Sequence, residues 1–424
     1  MQRSTMTQRR TQPSGTLGSA DEIRIRMYRV GFGDCFLVSM PGHRGTAHIL
    51  IDCGVHPHGD LGVMPEVVSD IASVCDRHLN LVIATQAHLD HISGFSECEA
   101  EFRQFTIDEV WLPWTENDED DQANGILQQH IGLARTLRRH FEAIGMTVDG
   151  TAGGDAFAAV ANSEGDPAAL ALLKSGINGA KVRYVKAGQT FDDAAGIDGL
   201  RIRILGPACD PNVLARMNLP TADRFYALDG AGRLIAPDQA LPFADKWTST
   251  SVPAGALDEH EKEILSQLTE SSVALAFALH QAINNTSVVA LLTQRGKNLL
   301  FPGDAQFESW ESLMNLPQGA PQLARIDFLK VAHHGSCNAT PKNILETMRD
   351  GFVAMIPTQD RPWPSIPSET LIAQLEAKAS AVIRSDSMMD ADATEHAAEG
   401  SNLGLEQGSG ASFSPLWCDY TIRL

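Results

Sequence analysis

The segment that most restricts what this chain can fold into begins at Leu81. Four apolar residues, Leu81 to Ala84, give way at once to Gln86, His88, Asp90 and His91. This is the pattern of a buried strand whose C-terminal end delivers polar side chains into a cleft, the place where open α/β sheets bind their ligands. Three metal-competent groups, His88, Asp90 and His91, fall within four residues. Imidazole and carboxylate together suit zinc and other borderline divalent ions, and alternate side chains leaving a strand end fan toward different ions.

Two later segments repeat the rule. Asn298 to Phe301 breaks into Gly303-Asp304, and Phe328 to Ala332 breaks into His333-His334-Gly335-Ser336. Upstream, Ile23 to Val30 alternates apolar and charged residues as a half-buried strand does. It turns at Gly31 to Asp34 and continues through Cys35 to Ser39 and His48 to Ile51 as a meander. The next loop carries His56-Pro57-His58. These read first as exposed loop histidines, and otherwise as substrate contacts or a substitute ligand reaching the same cleft. Asp34 and Asp52 sit in glycine-flanked turns, where aspartate caps backbone N–H groups. Helical spacing marks Met64 to Arg77, Phe95 to Phe105, Ile126 to Ile144, Ala168 to Lys174, Glu259 to Leu268 and Ser368 to Lys378. Strands are expected at Glu109 to Pro113, Lys181 to Lys186, Leu200 to Leu205, Val273 to His280 and Ser287 to Thr293. The tail adds strands at Phe352 to Ile356, Ala381 to Arg384 and Asp419 to Leu424.

Composition narrows the function. With 33 Lys and Arg against 53 Asp and Glu, the formal charge is −20, which repels nucleic-acid phosphate. The seven cysteines are scattered, without a Cys-x-x-Cys pair, so neither a disulfide framework nor a thiolate zinc cage is expected. That usage suits a reducing cytoplasm. Residues 1–20 lack an apolar core and read as a flexible leader, and Val273 to Leu279 falls far short of the roughly 20 residues a membrane helix needs.

Five segments, in order, resemble the metallo-β-lactamase superfamily, in particular the branch of the ComEC competence proteins and the phosphorylcholine esterases. They are Val30 to Val38 (Val-Gly-Phe-Gly-Asp-Cys-Phe-Leu-Val), Leu50 to Gly54, Gln86 to His91, Asn284 through Asp304, and Leu329 to Ser336. The resemblance implies an α/β fold, a four-layer αβ/βα sandwich with a metal cleft along one edge of its sheets. It implies a single domain over 21–424, with insertions at about 115–180 and 210–270 and a flexible segment at about 386–410. It makes His88 a ligand of a first metal, Asp90 and His91 ligands of a second, Asp304 the bridge, and one of His333 and His334 the last ligand. We assign that ligand to His334. His333 is left to contact phosphate or donate a proton, alongside Asp90, which orients the attacking hydroxide; His56, His58 and Ser336 are the candidate substrate contacts. One or two zinc ions are implied, with manganese as the alternative.

One position departs from the pattern. Gln86 stands where the superfamily has the first His of His-x-His-x-Asp-His. A neutral amide oxygen is a weaker zinc ligand than imidazole nitrogen, so the first site is impaired. No residue presents itself as the middle ligand, His280 reading as the end of a strand. The function expected is hydrolysis of a small-molecule or nucleotide-like phosphoester by a metal-bound hydroxide. The alternatives are a non-catalytic metal-binding or sensor protein, and a lactam or thioester hydrolase.

Overall fold

In a computed structural model, residues 21–57, 63–148, 151–214, 259–359, 363, 365–386 and 411–424 are described. The leader, His58, most of 210–270 and nearly all of 386–410 lie outside them. Among the described residues, fifteen strands follow one another. The first six are β1 (Glu22–Tyr28), β2 (Cys35–Gly42), β3 (Gly45–Cys53), β4 (His78–Ile83), β5 (Thr106–Pro113) and β6 (Lys181–Val185). After them come β7 (Thr190–Asp192), β8 (Leu200–Gly206), β9 (Val289–Gln294), β10 (Lys297–Phe301), β11 (Phe328–Lys330), β12 (Val353–Ile356) and β13 (Ala381–Arg384). The last pair is β14 (Ala411–Phe413) and β15 (Trp417–Arg423). They form an eight-stranded sheet, ordered β14-β15-β1-β2-β3-β4-β5-β6, and a seven-stranded sheet, ordered β13-β12-β11-β10-β9-β8-β7.

The helices are α1 (Met64–Cys75), α2 (Leu89–Glu97), α3 (Glu99–Phe102), α4 (Asp121–Ala143), α5 (Ala152–Ser163) and α6 (Pro167–Lys174). They continue with α7 (Pro211–Leu214), α8 (Glu259–Asn284), α9 (Phe307–Met314), α10 (Gly319–Leu323), α11 (Lys342–Thr347) and α12 (Glu369–Lys378).

Side-chain alternation builds the layers. In β2, Phe36, Val38 and Met40 point into a core shared with Ile202, Leu292, Phe301 and Met355 of the other sheet, so the two sheets lie face to face. Leu37 on the opposite face packs with Val67 and Ile71 of α1, Phe95 of α2 and Leu173 of α6. Across the molecule Leu291, Leu300 and Leu329 meet Trp310 of α9, Leu345 of α11 and Leu375 of α12. This is the four-layer αβ/βα sandwich that the resemblance implies. It explains why β4 ends in an apolar run: Leu81 and Ile83 face the inter-sheet core and Val82 faces the helices, so none of the three meets water.

Two expectations need correction. Val273 to His280 is not a strand but part of α8. A short apolar run is ambiguous between the two states, and here Val273, Ala276, Leu279 and Ile283 recur at helical spacing and are buried together. The segment 151–180, expected to hold one helix, holds two; α5 begins at Thr151, whose side chain accepts the Gly154 N–H. Leu137 and Phe141 of α4, Ala156 and Val160 of α5, and the buried face of α8 then form a satellite core. That small core carries Asn162, Ser163 and His280 to the edge of the sandwich.

Candidate metal centre

The opening motif lies at the start of α2 rather than on a free loop. His88 is the residue before its first turn, with extended backbone, and Asp90 and His91 lie in that turn. Gly54 makes the approach possible: a Cβ there would come within 2.5 Å of the backbone at Asp90 and His91. The other strand ends close on the same point. Asp304 follows β10, and His334 sits in the tight turn after β11, with His333 and His334 at φ 45° and 53°.

Asp90, His91, Asp304 and His334 are all buried, and each offers one ligand atom within 4.8 Å of the others. His91 Nε2 lies 3.0 Å from Asp304 Oδ2, and His334 Nε2 lies 3.2 Å from Asp90 Oδ2. Both rings are held from behind. His91 Nδ1 is 2.9 Å from Asp52 Oδ2, and His334 Nδ1 is 3.0 Å from the Pro357 carbonyl. Anchoring one ring nitrogen fixes the tautomer and aims the other, the outer-shell arrangement of histidine metal ligands. The carboxylates are anchored too. Asn162 donates to Asp90 Oδ1 at 2.9 Å and accepts the Asp90 backbone N–H at 3.2 Å. Lys330, fully buried, pairs with Asp34 and, at 3.2 Å, with Asp304 Oδ1. The His333 backbone N–H donates to the same Asp304 oxygen at 3.1 Å. The donor set, its burial and its anchoring fit a divalent ion.

Electrostatics agree with the geometry. Burial opposes the charge on His91, but Asp304, Asp90, Asp52 and Asp34 outweigh it and raise its pKa well above the ordinary value. His334 is raised against the same burial penalty by Asp304 and Asp90. Burial also opposes ionisation of Asp90 and Asp304, yet His91, His334 and, for Asp304, Lys330 hold both well below the carboxylate range. Asp34 goes the other way, raised chiefly by burial.

The opposite side of the site is built differently. Gln86 and His88 are buried, and among the described residues neither amide atom of the one nor ring nitrogen of the other has a hydrogen-bond partner. His280 stacks on His88 with ring centroids 4.8 Å apart and planes 6° apart. His280 Nε2 faces His333 Nε2 at 3.4 Å. Burial lowers the pKa of all three rings, that of His88 well below the ordinary value and that of His333 to about 3. Ser336 Oγ lies 3.2 Å from His333 Nδ1.

A cavity of about 90 Å³ opens here, bordered by Asp90, His280, His333, His334 and Ser336 and also by Phe32 and Trp363. His56 is buried and borders the same cavity, its ring edge-on to Trp363 at 4.8 Å. The structure therefore places His56 and Ser336 at the cleft and leaves His58 outside the described residues. Asp34 and Asp52 do more than cap turns: Asp52 accepts the Thr85 backbone N–H at 2.6 Å and also orients His91. Asn162, Lys330 and His280 went unanticipated. Lys330 had a signal, a charge inside the apolar run Phe328 to Val331, whereas Asn162 had none.

No family model and no curated protein matches the sequence. Among solved structures, the chain is similar to the metallo-β-lactamase fold protein YhfI of Bacillus subtilis at 9% identity and TM-score 0.36, covering 86% of this chain and 95% of that one. It is similar to Zn²⁺-bound PqqB of Methylobacterium extorquens at 10% and 0.31, covering 82% and 84%. A β-lactamase domain protein of Burkholderia ambifaria follows at 15% and 0.23, covering 46% and 49%. At such values the site rests on its own residues.

Proposed function

We propose that the chain is a metal-dependent hydrolase of a small phosphoester, nucleotide-like ones included. The observation that carries this reading is the convergence of Asp90, His91, Asp304 and His334, of which Asp90 and His334 line a cleft. These four would hold a divalent ion, which would supply Lewis acidity and lower the pKa of a bound water from about 15.7 to about 7. Asp90 and Asp304 stay ionised to hold it, and Asp52, Pro357, Asn162 and Lys330 keep the four ligands aimed. His280, His333 and Ser336 border the cavity where the oxygens of a phosphoester would lie. His333, with a pKa of about 3, is neutral at pH 7, which favours contact with phosphate over proton donation.

The choice of phosphoester over other esters rests on the ComEC- and phosphorylcholine-esterase-like motifs. The net charge of −20 supports a small substrate over long nucleic acid. No helix among the described residues is long and apolar enough to cross a membrane. No disulfide joins the seven cysteines, each among the described residues, which supports a reducing, cytoplasmic setting. Zinc is the first ion to test and manganese the second.

Gln86 favours a second reading, a metal-binding or sensor protein without turnover. The two are separated by elemental analysis of protein purified without chelator, and by turnover of bis-p-nitrophenyl phosphate under added zinc or manganese. The hydrolase reading expects at least one ion per chain and metal-dependent turnover. An ion without turnover selects the binding protein, and neither ion nor turnover under any metal overturns both.

A further inference from the structure

The cavity beside the candidate ligands carries a cluster of rings. Phe32, His56, Phe277 and Trp363 border it together with Asp90 and His334. Phe32 lies edge-on to the ligand ring of His334, with centroids 5.5 Å apart, and Trp363 lies edge-on to Phe32 at 5.0 Å and to His56 at 4.8 Å. A file of rings therefore runs from the metal centre to Trp363. The indole is pinned as well as packed, since its N–H donates to Asp155 Oδ1 at 2.7 Å. Asp155 lies on α5, two turns before Asn162, whose side chain holds Asp90. Seven residues span roughly 10 Å of helix, so one rigid element sets the separation of the indole from the ligand.

A second observation says what kind of group these rings take. Gln306 borders the same cavity and is 1% exposed; its Nε2 lies 3.3 Å from His333 Nδ1, and its Oε1 has no hydrogen-bond partner among the described residues. A buried carbonyl oxygen is costly to leave so, and it calls for a donor on whatever fills the cavity. Aromatic walls with a buried acceptor suit a flat ring that carries N–H groups, the way extruded bases are stacked and read along their edges. An alkyl chain or a quaternary ammonium has no such donor.

We propose that Trp363, Phe32 and Gln306 form a specificity subsite that stacks and reads a heteroaromatic ring, the base of a single nucleotide. Trp363, with Phe32 and His56 beside it, supplies the stacking wall, and Gln306 Oε1 accepts from the edge of the ring. Asp155 is a positioning residue that acts through Trp363. The proposal rests on the metal centre holding the phosphoester, and it adds the group that fixes the other end of the substrate.

The test is calorimetric binding of adenosine monophosphate and of ribose phosphate to the zinc-loaded full chain, two ligands that differ only in the base. The nucleotide is expected to bind tighter by about 5- to 100-fold, the worth of one base–aromatic stack. Trp363→Ala should abolish that preference and leave zinc content and ribose phosphate affinity unchanged, and the retained zinc also reports that the variant is folded. Asp155→Ala should reduce the preference, and Asp155→Asn, which keeps an acceptor for the indole N–H, should restore it. Gln306→Leu should weaken nucleotide binding several-fold. Equal affinity for the two ligands in the wild type, or a preference that survives Trp363→Ala, overturns this inference and leaves the metal centre standing. Tighter binding of phosphocholine than of the nucleotide overturns it in favour of a cationic group. A base preference in a chain that takes up zinc but turns over no phosphoester keeps the subsite and overturns only the hydrolase reading, and a chain that binds neither zinc nor either ligand overturns both.

Discussion

The two sides of the cleft differ in their residue types and in what stands behind them. Around Asp90, His91, Asp304 and His334, both rings are anchored through Nδ1 and both carboxylates through hydrogen bonds. Beside them, Gln86 and His88 have no hydrogen-bond partner among the described residues, while His280 and His333 make longer contacts, at 3.2–3.4 Å, to Ser163, Ser336, Gln306 and each other. A preorganised set binds at little further cost, whereas side chains that must first be ordered bind weakly. The difference teaches that Gln86 stands beside a second unpartnered side chain, His88, and is not a lone departure on an otherwise anchored side.

The sharpest way to break that contrast is to damage the anchored side. Asp304→Asn removes a ligand and one of the two carboxylates paired with Lys330. Affinity for the tight ion should fall by more than about 100-fold, beyond what loss of an outer-shell partner costs. Thermal stability should fall as well, since breaking a buried charge pair costs about 3–5 kcal/mol. Calorimetry and a melting curve read the two effects, and unchanged tight binding would remove Asp304 from the centre.

Acidification separates the sides next. The pKa values of His91 and His334 are raised, so in the ion-free chain both hold protons at neutral pH that an ion must displace. Affinity for the tight ion should therefore fall as pH falls, by about ten-fold per pH unit for each proton released. His280 and His333 are shifted down and already neutral, so they have no proton to release near pH 7. Titrations in buffers of different ionisation heat count the protons. Binding of the ion without proton release would erase the distinction.

How much of this could be read from the chain alone follows from where each interaction is encoded. The meeting of these side chains was legible because each follows an apolar strand, and strand ends meet in a sandwich: Gln86 to His91 after β4, Asp304 after β10, His334 after β11. The outer shell was not, because its members come from distant elements whose sequences do not announce their destination. Asn162 lies 72 residues from Asp90, on a helix that an Ala- and Gly-rich stretch concealed. His280 was mistaken for a strand end because Val273 to Leu279 is apolar throughout, and only the packing of α8 against α4 and α5 decides its state.

Asn162 provides a smaller and cleaner effect than Asp304. Asn162→Ala leaves every candidate ligand in place but removes both of Asn162's hydrogen bonds to Asp90. A drop of about ten-fold in tight-ion affinity is expected, the lower end for an outer-shell partner. Full-strength binding of the tight ion in this variant would show that Asp90 is positioned by the sheet and α2 alone.

The smallest effect, and the one that most refines the contrast, comes from restoring the ligand type at position 86. Gln86→His puts an imidazole, a better ligand for borderline ions than an amide oxygen, where a buried side chain now has no partner. If Gln86 is what impairs this side, the new ring beside His88 should add a second ion, or tighten it by about three- to ten-fold, since one more nitrogen donor is supplied. The tight ion should not move, because the backbone that sets Asp90 and His91 at the start of α2 is fixed by Gly54 and Asp52 rather than by residue 86. No change in binding or in turnover would mean that position 86 does not face the cleft.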